Sequence, residues 1–251
     1  MQRYFVLENA WQSNQVEIKE DDMHHIKKVM RMEVGDRLEC VHPSGAVAEC
    51  EIQEYGENRI VLNIKAWLEE NTELPVSVTI VQGLPKKDKL EFVLQKGTEL
   101  GAFEFLLYEA DRSIVQWDKK KQAQKVTRYN RIVKEASEQC HRQQIPDVSV
   151  KPLKEVVQNE NNNYDVFLFA FEEEAKKASY TSFHQVLEGL PRGSRICLII
   201  GPEGGFSEKE VQLLKQQQAQ PIRLGPRILR TETAALYALA SISYYFEEME
   251  G

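Results

Sequence analysis

Two loops containing glycine and proline carry the strongest chemical signal in this sequence. The first is IIGPEGGFSEKE at residues 199–210, in which we predict that a buried strand ends at Gly201. Ser207 and Glu210 form a capping box, which predicts that a helix begins directly after Ser207. A strand, a glycine loop and a helix in this order surround many ligands of α/β proteins, because the ligand sits beyond the carboxyl end of the strand. The loop lacks the lysine of a P-loop and the G-x-G-x-x-G spacing, so it predicts a ligand held by backbone groups rather than a phosphate.

The second loop is LGPRILRTETAAL at residues 224–236, and it follows another short apolar run. We predict Thr231 as the N-cap of the last helix, with Glu232 in its first turn. That helix is predicted from Thr233 to about Glu247 and is apolar nearly all round, which indicates burial in the core or in a subunit interface. One such loop is often only a structural turn, whereas two of them after buried strands indicate a ligand site.

Two kinds of segment must position these loops. After the first 75 residues, apolar runs alternate with stretches of helical length, and runs such as CLII are typical of strands buried on both faces of a parallel sheet. The earlier part has short strand signals around one helix, with Asp21 or Asp22 as its predicted cap, and it predicts a small β-barrel. The polar segment 69–75 ends in proline and is expected to separate the domains. The predicted division is a β-barrel over 1–72 and an α/β domain over 73–251.

The composition excludes several classes of protein. Hydrophobic residues make up 42% and charged residues 28%, without a low-complexity tract, so extensive disorder is not expected. The sequence has no signal-peptide region and no apolar run long enough to span a membrane, so we expect a cytoplasmic protein without a membrane partner. The 4 cysteines are scattered without a C-x-x-C pair, and His24 and His25 have no partners at ligand spacing. We therefore expect free, mostly buried thiols and no metal.

The net charge of -7 argues at first sight against a nucleic-acid partner, but the charge is unevenly distributed. Residues 1–72 carry 8 Lys/Arg and 14 Asp/Glu, whereas residues 84–142 carry 13 Lys/Arg and 9 Asp/Glu. Within the latter, a helix over 119–142 is predicted to place its apolar side chains on one face and its arginines opposite. The apolar set is Val126, Tyr129, Val133, Ala136 and Cys140. The arginine face is either simply solvated or contacts the backbone of RNA, and the pattern leaves both readings open.

Together the two loops resemble the signature of the trefoil-knot (SPOUT) RNA methyltransferases, and in this form that of the ribosomal RNA small subunit methyltransferase E family. The segments HHIKKVMRMEVGD, QKGTELGA and RIVKEASEQCHR are similar to further blocks of that family in the same order, so the resemblance covers essentially the whole chain. It implies a PUA-like, RNA-binding β-barrel followed by a knotted α/β domain with a mostly parallel sheet. That domain is expected to bind S-adenosyl-L-methionine and to form a homodimer. The family methylates N3 of a uridine in small-subunit ribosomal RNA, so the implied partner is that RNA, free or in an assembled small ribosomal subunit.

The resemblance also implies roles for residues of both loops. The residues expected to bind S-adenosylmethionine are Ile199, Gly201, Pro202, Gly204, Gly205, Leu224, Gly225, Ile228, Leu229 and Thr233. Arg230 is expected to be catalytic, because a cation beside the uracil carbonyls stabilises the N3 anion as it forms. Glu203 and Glu232 are candidate bases, although Glu232 is equally explained by the favourable position of a carboxylate at a helix N-terminus.

The remaining expectations concern RNA. The residues expected to contact it are Arg3, Lys27, Lys28 and Arg31 in the first domain, and Arg112, Arg128, Arg131, Gln139 and Arg142 in the second. Two alternatives stay open: an enzyme of the same fold that methylates a ribose 2′-hydroxyl, and a non-catalytic RNA-binding factor of ribosome assembly. The intact loops and the presence of Arg230 weigh against the second alternative.

Overall fold

The structure, a computed structural model, describes residues 1–158, 164–171 and 182–249. The chain forms two compact units, of which the first is Met1–Glu73 with Ser137–Gln144 and the second is Leu74–Ala136 with Ile145–Gly251. The sequence had suggested one uninterrupted domain after residue 72. The eight residues Ser137–Gln144 rejoin the first unit, and their amino-acid composition gives no sign of it.

The first unit is built on a five-stranded sheet. Its strands are β1 (Arg3–Phe5), β2 (Gln15–Ile18), β3 (Arg37–Val41), β4 (Val47–Tyr55) and β5 (Ile60–Leu68). They lie in the order β1-β3-β4-β5-β2, with β1 and β3 parallel and the other pairs antiparallel. The sequence predicted a small β-barrel; because no pairing joins β1 to β2 within the described residues, the sheet is a curled half-barrel.

A short helix, α1 (Glu20–His24), follows β2 and continues as a π-helical turn, His25–Val29. The prediction of Asp21 or Asp22 as its cap was wrong, because both residues lie inside the helix. Ile26 is fully buried in the core of the first unit, whereas Lys27 and Lys28 on the same turn are exposed.

The second unit is an α/β structure whose six strands are all parallel, as predicted. The strands are β6 (Ser77–Gly83), β7 (Glu104–Tyr108), β8 (Asp147–Val150), β9 (Val166–Ala170), β10 (Arg195–Ile200) and β11 (Gln220–Ile222). They lie in the order β11-β9-β10-β6-β7-β8. The sequence did not predict β8, a short strand with little apolar character. β6 and β10 are adjacent in the centre of the sheet, and the first glycine loop begins at the carboxyl end of β10.

Helices cover both faces of this sheet. They are α2 (Lys89–Glu99), α3 (Lys119–Gln139), α4 (Leu153–Gln158), α5 (Phe183–Glu188), α6 (Glu208–Gln216) and α7 (Thr231–Ser243). Ile80 and Leu198 pack in one core cluster with residues of α2 and α7, whereas Val81 and Ile199 pack in another with Leu214 of α6. Alternate strand residues thus face opposite cores, which explains the unbroken apolar runs.

Two further predictions from the sequence are confirmed. The thiols of Cys40, Cys50 and Cys197 are buried, Cys140 is partly buried, and all four are free. Tyr129, Val133 and Ala136 form the buried face of α3. In the described part of the chain, no helix has both the length and the apolar character needed to cross a bilayer.

Candidate active site

A cavity of about 600 Å³ lies in the second unit, beyond the carboxyl end of β10 and at the start of α7. The two glycine loops form most of its wall. The residues that line it are 200–206 and 228–231, with Lys89, Arg112, Ala170, Phe171 and Ala234. A second cavity of about 310 Å³ shares Ala170, Phe171, Ile228, Leu229 and Ala234 and extends along residues 222–227. The two loops that the sequence singled out therefore border one continuous region.

Thr231 ties the loops together. Its hydroxyl donates a hydrogen bond to the carbonyl oxygen of Gly201 at 2.6 Å and accepts one from Nε2 of Gln82 at 2.8 Å. Gln82 is fully buried at the end of β6, and its Nε2 also donates to the carbonyl oxygen of Gly83 at 2.9 Å. The prediction of Thr231 as N-cap was wrong: α7 begins at Thr231, and the N-cap is Arg230, whose side chain makes no capping bond.

Glycines are required where the two loops and their neighbours approach closely. A Cβ atom on Gly83 would lie 2.7 Å from Cδ of Pro202, so a larger residue there would push the glycine loop away from β6. A Cβ atom on Gly204 would lie 2.9 Å from Cβ of Arg112. Gly205 has a φ of +67°, a left-handed conformation that glycine adopts without strain.

The ammonium group of Lys89 lies close to both candidate bases, Glu203 and Glu232. Its ammonium donates a hydrogen bond to Glu203 Oε1 at 2.9 Å and lies 3.3 Å from Glu232 Oε2, a charge contact without hydrogen-bond geometry. The bond to Glu203 is the main reason that the pKa of Lys89 is raised. Burial raises the pKa of Glu203, but the hydrogen bonds from Lys89 and from the amide of Lys86 outweigh it and leave that pKa below its ordinary value. A carboxylate held in its ionised form in this way is a weak proton acceptor near neutral pH, which disfavours Glu203 as the base.

Two arginines stand at the rim of the larger cavity. Arg230 is exposed, and no hydrogen bond or ion pair of its side chain occurs among the described residues. Arg112 is also exposed, and its Nη1 donates to the carbonyl oxygen of Gly204 at 3.2 Å. Arg112 therefore lies against the glycine loop, and both guanidinium groups keep donors available for a substrate.

The predicted ligand-binding residues divide into three groups. Gly201, Pro202, Gly204, Gly205, Ile228 and Leu229 line the larger cavity, and Leu224 and Gly225 line the smaller one. Ile199 is fully buried in the core behind the loop and lines neither cavity. Thr233 is exposed on α7 and also lines neither, because the helix begins two residues earlier than predicted and turns Thr231 and Ala234 inward instead.

The predicted RNA-contacting residues differ in exposure, and two of them are buried. Arg3 is 1% exposed and pairs with Glu39 and Glu70, so its charge is satisfied inside the first unit. Arg142 is 3% exposed and pairs with Glu73. The structure contradicts an RNA contact for both arginines, since a buried guanidinium cannot reach a phosphate. Sequence position alone does not distinguish such an arginine from an exposed one.

The others are accessible. Lys27, Lys28, Arg31 and Gln139 are exposed, although the ammonium of Lys27 lies 5.3 Å from the centre of the Tyr55 ring. Arg128 is paired with Glu91 at 2.7 Å, and Arg131 with Glu135 at 2.8 Å. These two exposed pairs add little stability and can open toward another anion.

Sequence reasoning missed Gln82, Lys89 and Phe171. Gln82 and Lys89 lie near the end of β6 and at the start of α2, more than 100 residues before the loops that they contact. The only available signal was the lysine-rich segment PKKDK between a strand and a helix, which reads equally well as a solvated turn. Among the described residues, no group of three His, Cys, Asp or Glu side chains is arranged to hold a metal ion.

Comparisons with known proteins identify the family of this chain. A family model described as an RNA methyltransferase domain matches residues 72–243, and one described as an RNA methyltransferase PUA domain matches residues 18–65. Ribosomal RNA small subunit methyltransferase E of Bacillus subtilis is 42% identical over 255 residues, which cover 100% of this chain and 99% of that protein.

Solved structures of other proteins are similar to this fold over nearly the whole chain. A crystal structure of a protein described as hypothetical superimposes with a TM-score of 0.90 at 40% identity, covering 99% of this chain and 100% of the other. A Legionella pneumophila protein, assigned as a methyltransferase and solved with the bound cofactor SAM, gives a TM-score of 0.83 at 30% identity and covers 97% of each chain. By its match to the methyltransferase family model and its 42% identity to a relative of equal extent, this chain belongs to the ribosomal RNA small subunit methyltransferase E family.

Proposed function

We propose that this protein transfers a methyl group from S-adenosylmethionine to N3 of a uridine in small-subunit ribosomal RNA. The observation that carries the proposal is the cavity between the two glycine loops, with Arg230 at its rim and no partner for its side chain among the described residues. Family membership and the SAM-bound relative support the donor and the class of reaction. The position N3 rests on the family resemblance of the loop motifs.

The residues of the cavity fit S-adenosylmethionine. Phe171, Phe206 and Leu229 offer apolar surface for an adenosine group, and the backbone of residues 201–205 offers polar atoms at close range. Glu203 also lines the cavity, where its carboxylate is paired with Lys89. The smaller cavity, with Leu224 and Gly225, extends the same surface.

The protein's own side chains have two tasks in this reaction. When bound, S-adenosylmethionine would supply an electrophilic methyl group and leave as S-adenosylhomocysteine, and the proton of uracil N3 would pass to a base of the protein. Arg230 and Arg112 are placed to hold the uracil carbonyls and to stabilise the negative charge that develops as the proton leaves. Glu232, in the first turn of α7, is the remaining candidate base, because hydrogen bonds lower the pKa of Glu203; Lys89 lies 3.3 Å from Glu232 as well. Alignment of N3 with the methyl group supplies much of the rate.

We further propose that the first unit binds RNA as a PUA-like domain, that the second contains a trefoil knot, and that the protein works in the cytoplasm as a homodimer. One face of α7 supports the dimer. Tyr237 on this helix and Tyr244, in the π-helical turn Tyr244–Met249 that follows it, are 41% and 61% exposed and leave aromatic surface available to a partner. Sedimentation of the protein as a monomer at micromolar concentration would contradict the dimer.

The experiment that tests the function is methylation of small ribosomal subunits from cells lacking this modification, followed by mass spectrometry of the nucleosides. We expect N3-methyluridine. Arg230→Ala should lower kcat about 100- to 1000-fold, as does removal of a single donor that stabilises a developing anion. Lys209→Ala, which removes an exposed cation from α6, is the matched control and should keep wild-type activity.

Three outcomes would contradict the proposal. A methyl group that blocks alkaline cleavage of the adjacent phosphodiester would identify a ribose 2′-hydroxyl as the target. RNA binding without binding of S-adenosylmethionine, measured by calorimetry, would identify a non-catalytic RNA-binding factor. Unchanged kcat in Arg230→Ala would remove the assigned role of this arginine.

A further inference from the structure

The first unit carries an exposed pair of stacked tryptophans. The rings of Trp11 and Trp67 have centroids 5.5 Å apart and planes inclined by 21°. Trp67 lies near the end of β5 and is 53% exposed, whereas Trp11 is partly buried against the core of the unit. His42 meets the Trp11 ring edge-on, with centroids 5.2 Å apart. The three rings form a continuous aromatic surface, named here the Trp67 platform.

The inner part of this platform is fixed by its own contacts. Trp11 Nε1 donates a hydrogen bond to the carbonyl oxygen of Val6 at 3.2 Å. Nδ1 of His42 lies 3.1 Å from the backbone amide of Ser44 and 2.8 Å from the hydroxyl of the same residue, and these contacts hold the ring in place. Trp67 lies opposite the small side chain of Ala48 in the β4–β5 register, so no bulky neighbour on β4 covers it. The platform therefore presents a rigid ring backed by a second ring.

The acidic composition of residues 1–72 indicates which part of an RNA the Trp67 platform can bind. Residues 1–72 carry 14 acidic and 8 basic side chains, which disfavours a dense set of phosphate contacts. A nucleobase is uncharged, and its face stacks on an indole without any cation. An unpaired base is also the only base that exposes its face, because bases inside a duplex stack on each other.

We propose that the Trp67 platform binds one unpaired nucleobase of the RNA substrate by stacking on Trp67. The proposal rests on the proposed function, which supplies the RNA, and deepens it by naming where a base outside the cavity is held. Stacking of a base on an aromatic side chain contributes about 1–3 kcal/mol, so loss of Trp67 should weaken binding about 5- to 100-fold.

The test uses the full chain and single-stranded oligo(U), with affinity measured by fluorescence anisotropy of a labelled oligonucleotide. Trp67→Ala should lose affinity by the factor given above, whereas Trp67→Phe should keep most of it because phenylalanine also stacks. Val34→Ala, which removes an exposed apolar side chain elsewhere in the first unit, is the control and should bind like the wild type. Thermal unfolding of each variant establishes that it is folded.

Duplex RNA of the same length separates stacking from general binding, because its affinity should not depend on Trp67. Equal losses for duplex and single strand, or unchanged affinity of Trp67→Ala for oligo(U), would overturn the proposal. Unchanged RNA binding with loss of binding to a ribosomal protein would assign the platform to a protein partner instead. Calorimetry with S-adenosylmethionine is independent of this test, so failure of the proposed methyl transfer and failure of the platform are distinguishable.

Discussion

Replacing Thr231 with valine removes one oxygen atom from the point where β6, the glycine loop and α7 meet. Valine has nearly the shape of threonine, so the change deletes hydrogen bonds without leaving a large cavity. The hydroxyl donates to Gly201 at 2.6 Å and accepts from Gln82 at 2.8 Å. Thr231 is only 6% exposed, so its two hydrogen bonds are largely shielded from water even though the residue lines the cavity.

The size of the expected loss of stability follows from the two polar groups that lose a hydrogen bond to Thr231, the Gly201 carbonyl and the Gln82 amide. A buried polar group that loses its partner costs about 1–3 kcal/mol. The Gly201 carbonyl loses its bond to Thr231, whereas the Gln82 amide keeps one bond, to the carbonyl of Gly83. We therefore expect the free energy of unfolding to fall by about 2–4 kcal/mol. With a urea m-value of about 3 kcal/mol/M, the midpoint should fall by about 1 M.

The assay is urea unfolding followed by circular dichroism at a helical wavelength. Most described helical residues belong to the second unit, so this signal reports on the unit that contains Thr231. Calorimetry should also show weaker binding of S-adenosylmethionine, because the glycine loop loses its anchor on α7. Thr233→Val is the matched control, since that threonine lies two residues along the same helix and is exposed. Equal midpoints for Thr231→Val and the wild type, or equal effects of both substitutions, would refute this account of the loop.

Three other changes test the site and its surroundings. Lys89→Met should raise the pKa of Glu203 toward its ordinary value of 4.5. Because the pKa of Glu203 is lowered in the folded wild type, its ionised carboxylate stabilises the fold above about pH 5, and Lys89→Met should lose that stability there. The difference in the free energy of unfolding between the two proteins should shrink as the pH falls through the lowered pKa. Urea unfolding at a series of pH values measures it. Gly204→Ala should displace Arg112, because the new methyl group would lie 2.9 Å from the Cβ atom of that arginine. The value of kcat/KM for RNA should fall about tenfold. The affinity for S-adenosylmethionine, measured by calorimetry, should change less. Burial raises the pKa of Tyr129 from 10.0 to about 12, so the native state keeps a proton that the unfolded chain releases. Wild-type stability should therefore fall as the pH rises above 10, and Tyr129→Phe, similar to the wild type near pH 8, should be about 1 kcal/mol more stable near pH 11.

The sequence predicted the parallel sheet and the two loops because both depend on local patterns. Unbroken apolar runs indicated strands buried on two faces, and the capping box of Ser207 and Glu210 is present as expected. The start of α7 was misplaced by two residues, which exchanged Thr231 for Thr233 at the cavity. An error of this size changes which side chains of a helix face the ligand.

Features that depend on distant parts of the chain could not be predicted. Arg3 looked like a surface cation because its partners Glu39 and Glu70 are far away in sequence. Lys89 looked like part of a solvated turn, although it lies between two carboxylates from the C-terminal third of the chain. In each case a charge finds its partner only through the tertiary fold.

The segment Ser137–Gln144 has a consequence for the order in which the protein is made. Arg3 donates to the carbonyl oxygen of His141, 138 residues later in the chain, and Glu73 pairs with Arg142. During synthesis these partners leave the ribosome only after five strands of the first unit and two of the second have emerged. A nascent chain that ends at Glu73 has Arg3 without one of its acceptors and Glu73 without its cation. The N-terminal unit is therefore completed by residues translated long after its own strands, and the two units cannot be made as independent consecutive pieces.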